Sequence, residues 1–334
     1  MTLELNREYP ELDDPKIFEH MVNLTLGQMK PILGHLRRAQ HAKTTGCVAA
    51  EFRIADDVPS DLRYGVLSQP GRTFRAMVRF SNSLETFSND SEGTARGLAI
   101  KLLEVGGTRA VPNDGDNTQD FLLINHPVFP FPDPKAYVEA IGRKSIPLIG
   151  KLMLLGYLAL FKPQSFKIVM DIRKKSIGSP LELKYFSVSP FWLGPANGEG
   201  GHAVKYLAVP LRDARTTPPD HPENEPNYLI KAVASGLRSE EAVFDFKVHW
   251  QTDPVAMPVE NVSAEWKESD LNPVKVATLR IPPQSVDVSD TPDPKCEPRS
   301  FTPWHALAEH RPMGGMNRLR RAVYLASVAK RTGH

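Results

Sequence analysis

The chain has 334 residues, 24% of them charged, with 41 Lys and Arg against 39 Asp and Glu and a formal net charge of +2. That is globular material with enough apolar residues for a sizeable core in one large domain or two small ones, and it lacks the basic field of a nucleic-acid binder. Thirty prolines, nearly twice the usual share of about 5%, predict short strands joined by long, fixed loops.

Met1 to Glu8 show no basic region followed by an apolar core, so no signal peptide is expected. Residues 15–34 read as helical, with Ile17, Met21, Leu24 and Met29 at roughly helical spacing and Pro31 as a kink or break. Eight runs have strand character: 47–54, 74–80, 97–103, 119–124, 185–189, 203–210, 243–250 and 276–281. The clearest alternates Phe244, Phe246, Val248 and Trp250 with Asp245, Lys247 and His249, the period of a half-buried strand. Eight antiparallel runs predict a closed β-barrel, which removes edges and can hold one ligand.

Between the fourth and fifth runs, residues 134–175 read as helical. Within them Ser145–Phe161 holds a single charge, Lys151, and falls short of the roughly 20 residues that cross a bilayer. It contains Pro147, Gly150 and Gly156 and is flanked by Arg143, Lys144 and Lys162. It reads first as a buried or inter-subunit helical hairpin, then as a membrane-surface segment, and last as a span. Residues 211–227 form an exposed loop, a helix follows near 227–242, 283–300 is an irregular Pro- and Ser-rich connection, and Pro303–Pro312 is a short helix or turn.

The last helix carries Arg320-Arg321-Ala322-Val323-Tyr324. Arg320 and Tyr324 are four apart and share a helical face. A guanidinium beside a phenol favours the phenolate, a hard oxygen ligand suited to ferric iron. Cys47 and Cys296 form no CxxC pair and no disulfide framework, which points to a reducing, cytoplasmic compartment, with Cys47 packed in a strand. His305 and His310, five apart, read as surface or turn residues. There is no HExxH, no Gly-rich phosphate loop and no nucleophile elbow.

Five motifs run in one order: His41-Ala42-Lys43, Val78-Arg79-Phe80-Ser81, Ala95-Arg96-Gly97-Leu98-Ala99-Ile100-Lys101, Asn125-His126-Pro127-Val128-Phe129 and Arg320-Arg321-Ala322-Val323-Tyr324. Together they resemble the haem-catalase series. Lys184 to Phe191, Met257-Pro258-Val259-Glu260-Asn261 and Pro303-Trp304-His305-Ala306-Leu307 resemble the short catalase-related haem peroxidases of bacteria. The resemblance implies an α+β fold, a closed antiparallel eight-stranded β-barrel with surrounding helices. It implies a single domain over 1–334, with an N-terminal helical arm (1–40), a first barrel half (41–125), a helical insertion (134–175), a second barrel half (180–282) and a proximal ligand helix (300–334).

It also implies a cofactor, heme b with ferric iron. Tyr324 would be the metal ligand and Arg320 its charge partner. His41 would act as acid and base over the distal face, with Ser81 fixing its tautomer and Asn125 as the distal asparagine. Arg38, Arg79 and Arg331 would hold the haem carboxylates, and Phe129 and Tyr137 would pack on the haem edge or face. Four positions depart from the series. Gln40 stands where catalases carry an apolar residue, and its amide joins the catalytic set. Counting back from Pro127 puts the asparagine position on Ile124, and a one-residue slip puts it on Asn125. Thr94 replaces an acidic channel residue, and Val328 a residue of the proximal helix.

The departures imply wider access to the haem. The function implied is a haem peroxidase reducing hydrogen peroxide or organic hydroperoxides through a ferryl intermediate, with weak catalase activity at best. A non-catalytic haem carrier or sensor, a fatty-acid hydroperoxide isomerase or lyase, and a haem-free barrel for an apolar ligand are the alternatives. The implied partners are a small hydroperoxide and an organic electron donor, not nucleic acid. The chain stops soon after the proximal helix, which implies an assembly smaller than the catalase tetramer. A homodimer and a membrane-surface contact through 145–161 are both open.

Overall fold

Period-two alternation builds the strands, and the apolar half of each points inward. In β10 (Ala242–Trp250) the inward residues are Phe244, Phe246 and Val248; in β3 (Thr44–Ile54) they are Val48, Ala50, Phe52 and Ile54, all buried in one core. This is a computed structural model of the chain, and it describes residues 3–29, 31–32, 35–36, 38–84, 88–112, 117–144, 149–269, 271–289 and 295–332. The other barrel strands are β4 (Thr73–Asn82), β5 (Arg96–Leu102), β6 (Gln119–Ile124), β7 (Tyr185–Phe186), β9 (His202–Pro210) and β11 (Val274–Ile281). They pair antiparallel in the order β3-β4-β5-β6-β7-β9-β10-β11, and β11 returns to β3, so the sheet closes.

At the centre of the barrel Phe52, Phe121, Tyr206 and Phe246 stack with ring centroids 4.8–5.9 Å apart. Burying each such side chain contributes about 1.5–3 kcal/mol. The eight strand-like runs of the sequence are these eight barrel strands. A further strand, β8 (Phe191–Leu193), pairs with the outer part of β9; three residues are too few to show a period.

The helices are α1 (Asp14–Gln28), α2 (Pro134–Lys144), α3 (Gly150–Phe161), α4 (Pro163–Lys174), α5 (Tyr228–Gly236) and α6 (Gly315–Thr332). The helix expected over 15–34 ends at Gln28, because Pro31 has no N–H to continue it. Two short strands, β1 (Pro31–Ile32) and β2 (His35–Leu36), follow it. Residue 34 and residues 145–148 of the apolar segment lie outside the described residues. What is described of that segment, α3, is not buried within this chain, since Leu152, Leu160 and Phe161 are exposed; that corrects the buried reading and leaves the inter-subunit hairpin and the membrane-surface segment untested.

The outer barrel face is polar where it meets solvent and changes partway along β4. Arg75 on that face is exposed, whereas Arg79 and Ser81 are buried. Buried polar side chains facing out of a barrel mean that something covers the wall. The cover is α6 with α1 and α2. Two carboxylates fix the start of α6: Glu8 accepts from Gly314 N–H and Glu260 from Gly315 N–H, each at 2.6 Å, where unpaired helix N–H groups favour anions. Arg318 then binds Glu8, Asp14 and Glu260, tying the N-terminal arm to the helix.

Two sequence expectations are corrected here. Cys47 and Cys296 form a disulfide with Cα atoms 6.1 Å apart, although 249 residues separate them. His310 ends a short helical turn (Ala308–His310), as expected, but it is not at the surface: it is fully buried, with its ring between two groups. Val66 N–H donates to its Nε2 (3.1 Å), so Nδ1 carries the proton and donates to the Tyr206 hydroxyl (2.9 Å). His305 is half-buried in a cluster with Lys101 and Asp120.

Candidate active site

A cavity of ≈ 200 Å³ lies between the outer wall of β4–β6 and α6. α6 contributes Met316, Leu319, Arg320, Val323, Tyr324, Ser327, Val328 and Arg331 to it. The spacing of three and four keeps all eight on one helical stripe. The barrel contributes two rows across adjacent strands: Arg79, Ala99 and Leu122, then Ser81, Gly97 and Ile124. α1 adds Met21, α2 adds Tyr137, and the loop before α2 adds Phe129, which meets Tyr137 edge-on at 5.2 Å.

His41 enters from the wall side. Its backbone is left-handed (φ +55°), an uncommon conformation that aims the ring into the cavity. Nδ1 shares a hydrogen bond with Ser81 Oγ at 2.9 Å. The ring packs closely against Gly97: a β-carbon there would sit 2.6 Å from Nδ1. Arg79 donates to the His41 carbonyl (2.7 Å) and to Thr44 Oγ1 (3.0 Å). Burial, helped by the charges of Arg79 and Arg320, pushes His41 down to about 3, so its imidazole is neutral at pH 7.

Tyr324 enters from α6. Its hydroxyl makes no hydrogen bond to any described residue, and the Arg320 guanidinium lies 5.5 Å from its ring centroid. Arg320 also donates to Asn317 Oδ1 (3.1 Å).

Of the residues singled out in the sequence, Arg38, Gln40, His41, Arg79, Ser81, Phe129, Tyr137, Arg320, Tyr324 and Arg331 all line this one cavity. Asn125 does not, and its assignment as a distal catalytic residue is corrected. Strand alternation turns Ile124 to the cavity and Asn125 away, where its Oδ1 accepts from Arg96 N–H at 2.7 Å. The barrel-side wall therefore carries an isoleucine, and Gln40 is the amide that lines the cavity.

Three features were not legible in the sequence. Ser187-Val188-Ser189, placed in a strand, forms a tight turn in which Ser189 N–H donates to the Ser187 carbonyl at 2.7 Å. Val188 sits at its apex at φ +64°, a genuine outlier for a β-branched residue, and lines the cavity. Ser300 and Phe301 close one end. Their segment is held by the disulfide and by Arg38, which binds the Glu297 carboxylate (2.8 Å) and the carbonyls of Cys296 (2.7 Å) and Arg299 (2.6 Å). Arg38 is thus a clamp on this loop before it is anything else.

The donor set fits ferric haem. A flat apolar macrocycle needs apolar walls, an anionic oxygen for iron and cations for two carboxylates. The walls are Met21, Leu122, Ile124, Phe129, Val188 and Val323, and Tyr324 offers an uncommitted phenol. Arg331 Nη1 is buried and makes no hydrogen bond to a described residue, and burial lowers the pKa of its guanidinium. The Glu297 charge faces this guanidinium but leaves Nη1 unfilled, so a buried N–H donor remains for an acceptor in the cavity.

No protein-family sequence model matches the chain, and no curated protein matches it by sequence. Solved structures match it by shape. A fungal catalase determined at 1.9 Å superposes with a TM-score of 0.72 at 18% identity, covering 100% of this chain and 66% of that one. Catalase A from Saccharomyces cerevisiae gives 0.71 at 15% identity (99% and 67%), and a bacterial catalase 0.69 at 16% (97% and 62%). The fold is therefore the catalase fold, and the chain spans about two thirds of the length of these catalases.

Proposed function

We propose that this single-domain chain is a haem-dependent peroxidase that reduces hydrogen peroxide or organic hydroperoxides at the expense of an organic electron donor, with weak catalase activity at best. The observation that carries the proposal is the convergence of the Tyr324 phenol, from α6, and the neutral His41 imidazole, from the barrel side, on one arginine-bordered cavity. When bound, ferric haem supplies the two electrons that reduce the O–O bond.

The chain's own residues do the rest. Tyr324, with the Arg320 guanidinium 5.5 Å from its ring centroid, would hold the iron, and Arg331 would bind a haem carboxylate. Neutral His41 would take the proton from the hydroperoxide O–OH and return it to the leaving oxygen, so the same nitrogen is base and then acid. Ser81 and the close contact with Gly97 hold the ring for both transfers. Ile124 offers the second oxygen no hydrogen bond, and the apolar lining accommodates an alkyl group beside the reacting atoms. Both features favour organic hydroperoxides over the disproportionation of two hydrogen peroxide molecules.

The same apolar lining supports a second proposal, isomerisation or cleavage of a fatty-acid hydroperoxide without an external donor. Product analysis with one such hydroperoxide, with and without donor, separates the two. The primary test is the absorption spectrum of the purified or haem-reconstituted protein. Tyr324→Phe should remove the iron ligand and most bound haem while leaving the far-ultraviolet circular dichroism unchanged. An unaltered ferric spectrum in that variant overturns the assignment, and turnover lost only in His41→Ala separates an enzyme from a haem carrier.

A further inference from the structure

Five of the twelve large apolar side chains exposed among the described residues fall within one short stretch: Ile149, Leu152, Met153, Leu160 and Phe161. The other seven are scattered along the chain. Ile149, Leu152, Met153 and Leu160 recur at three, four and seven residues, so they form one stripe on α3. Its opposite side is anchored: Leu158 packs with Phe131 and Ala140, and Leu154 and Tyr157 pack against the same cluster.

The surroundings are strongly basic. Residues 139–176 hold eight Lys and Arg against two acids, Glu139 and Asp171, a net of +6 in a chain whose total is +2. Glu139 is itself paired with Arg143. Lys162, directly after Phe161, and Lys167, in the first half of α4, are exposed. No described helix is long and apolar enough to cross a membrane.

We propose that α3 docks this protein in the plane of an anionic lipid surface, with Leu152, Met153, Leu160 and Phe161 entering the acyl boundary and Lys162 and Lys167 meeting the headgroups. An apolar stripe rimmed by cations matches that environment, in which each basic residue adds affinity and each buried apolar side chain adds more. The charge argues against a second copy as the occupant, since a two-fold contact would bring two +6 segments together. The docking needs no haem. The cluster that anchors α3 also includes Phe129 and Tyr137, which line the cavity, so docking places the cavity one packing layer from the lipid.

The test is co-sedimentation of the full chain with phosphatidylcholine vesicles and with equal mixtures of phosphatidylcholine and phosphatidylglycerol, at low and high salt, with light scattering of the free protein. The expected result is binding to the mixed vesicles that weakens with salt. Leu152→Glu with Leu160→Glu should lower the partition coefficient at least about tenfold, and Lys162→Glu with Lys167→Glu should lower it by about fivefold per residue. All four positions are exposed, so circular dichroism should be unchanged. Absence of binding, binding indifferent to lipid charge and salt, or binding retained by both variants overturns the proposal. So does a dimer that Leu152→Glu with Leu160→Glu dissociates while vesicles bind nothing, which would give the face to a second copy.

Discussion

Replacing Gly97 by alanine tests the heart of the site. The new β-carbon would stand 2.6 Å from His41 Nδ1, 2.7 Å from Cε1 and 2.7 Å from Ser81 Oγ. Unstrained contacts begin near 3.5 Å, so the ring must retreat by about 0.9 Å. The 2.9 Å bond from Nδ1 to Ser81 stretches beyond hydrogen-bond range with it. Overpacking costs about 1–3 kcal/mol and the lost hydrogen bond about 0.5–1.5 kcal/mol. Alanine returns only about 0.4–1 kcal/mol by restricting the unfolded chain. The net expectation is a destabilisation of about 1–4 kcal/mol, read from urea unfolding. In haem-reconstituted protein the displaced imidazole should slow the reaction with peroxide by about 100-fold in stopped flow. Ser81→Ala removes one of the two clashes, so the double variant should be less impaired than the sum of its parts. A Gly97→Ala protein as stable as its parent, and as fast with peroxide, would refute the geometry argued for His41.

Acid should destabilise the haem-free protein in a defined window. His41 and His310 are both held down to about 3 by burial, whereas in the unfolded chain they bind protons below about 6.5. The unfolded state then binds more protons, so stability falls as pH drops from about 6.5 toward 3, at about 1.4 kcal/mol per pH unit for each histidine. His310→Gln should reduce the measured slope near pH 5 by about that amount; an unchanged slope would count against the buried neutral ring. Cys47→Ser with Cys296→Ser, or reduction of the parent, should cost about 2–5 kcal/mol in urea unfolding, and a loss near zero would show that Arg38 alone holds the loop. At the Val188 apex, glycine relieves about 1–3 kcal/mol of backbone strain that alanine keeps. Val188→Gly should therefore be at least as stable as Val188→Ala, the reverse of the usual order.

The barrel was legible because alternation such as Phe244-Asp245-Phe246-Lys247 needs only local sequence to be read. The α6 stripe was legible for the same reason, at helical period. What escaped were features set by distant partners or by a single residue of register. Ile124 and Asn125 are neighbours in sequence, yet the pleat sends one to the cavity and the other to Arg96. The Cys47–Cys296 link joins a strand to a loop 249 residues away, and no spacing rule announces such a pair. His310 is a core residue because Tyr206 and Val66 come to it from other parts of the chain. Ser187-Val188-Ser189 has strand composition, and only the closing hydrogen bond turns it. The apolar content of α3 was plain, but composition cannot say which side of a helix its neighbours leave bare.

The order of assembly follows from where the cavity's two walls lie along the chain. Synthesis from the amino end delivers all eight barrel strands by Ile281, whereas the helix bearing Tyr324 starts at Gly315. A nascent chain can thus close its barrel while Arg79, Ser81, Leu122 and Ile124 still face water. α1 and α2 are made before the barrel is complete, but the stripe that finishes the cover arrives only with α6, so a chain cut short before Gly315 keeps every barrel strand and leaves this flank sticky and unlidded.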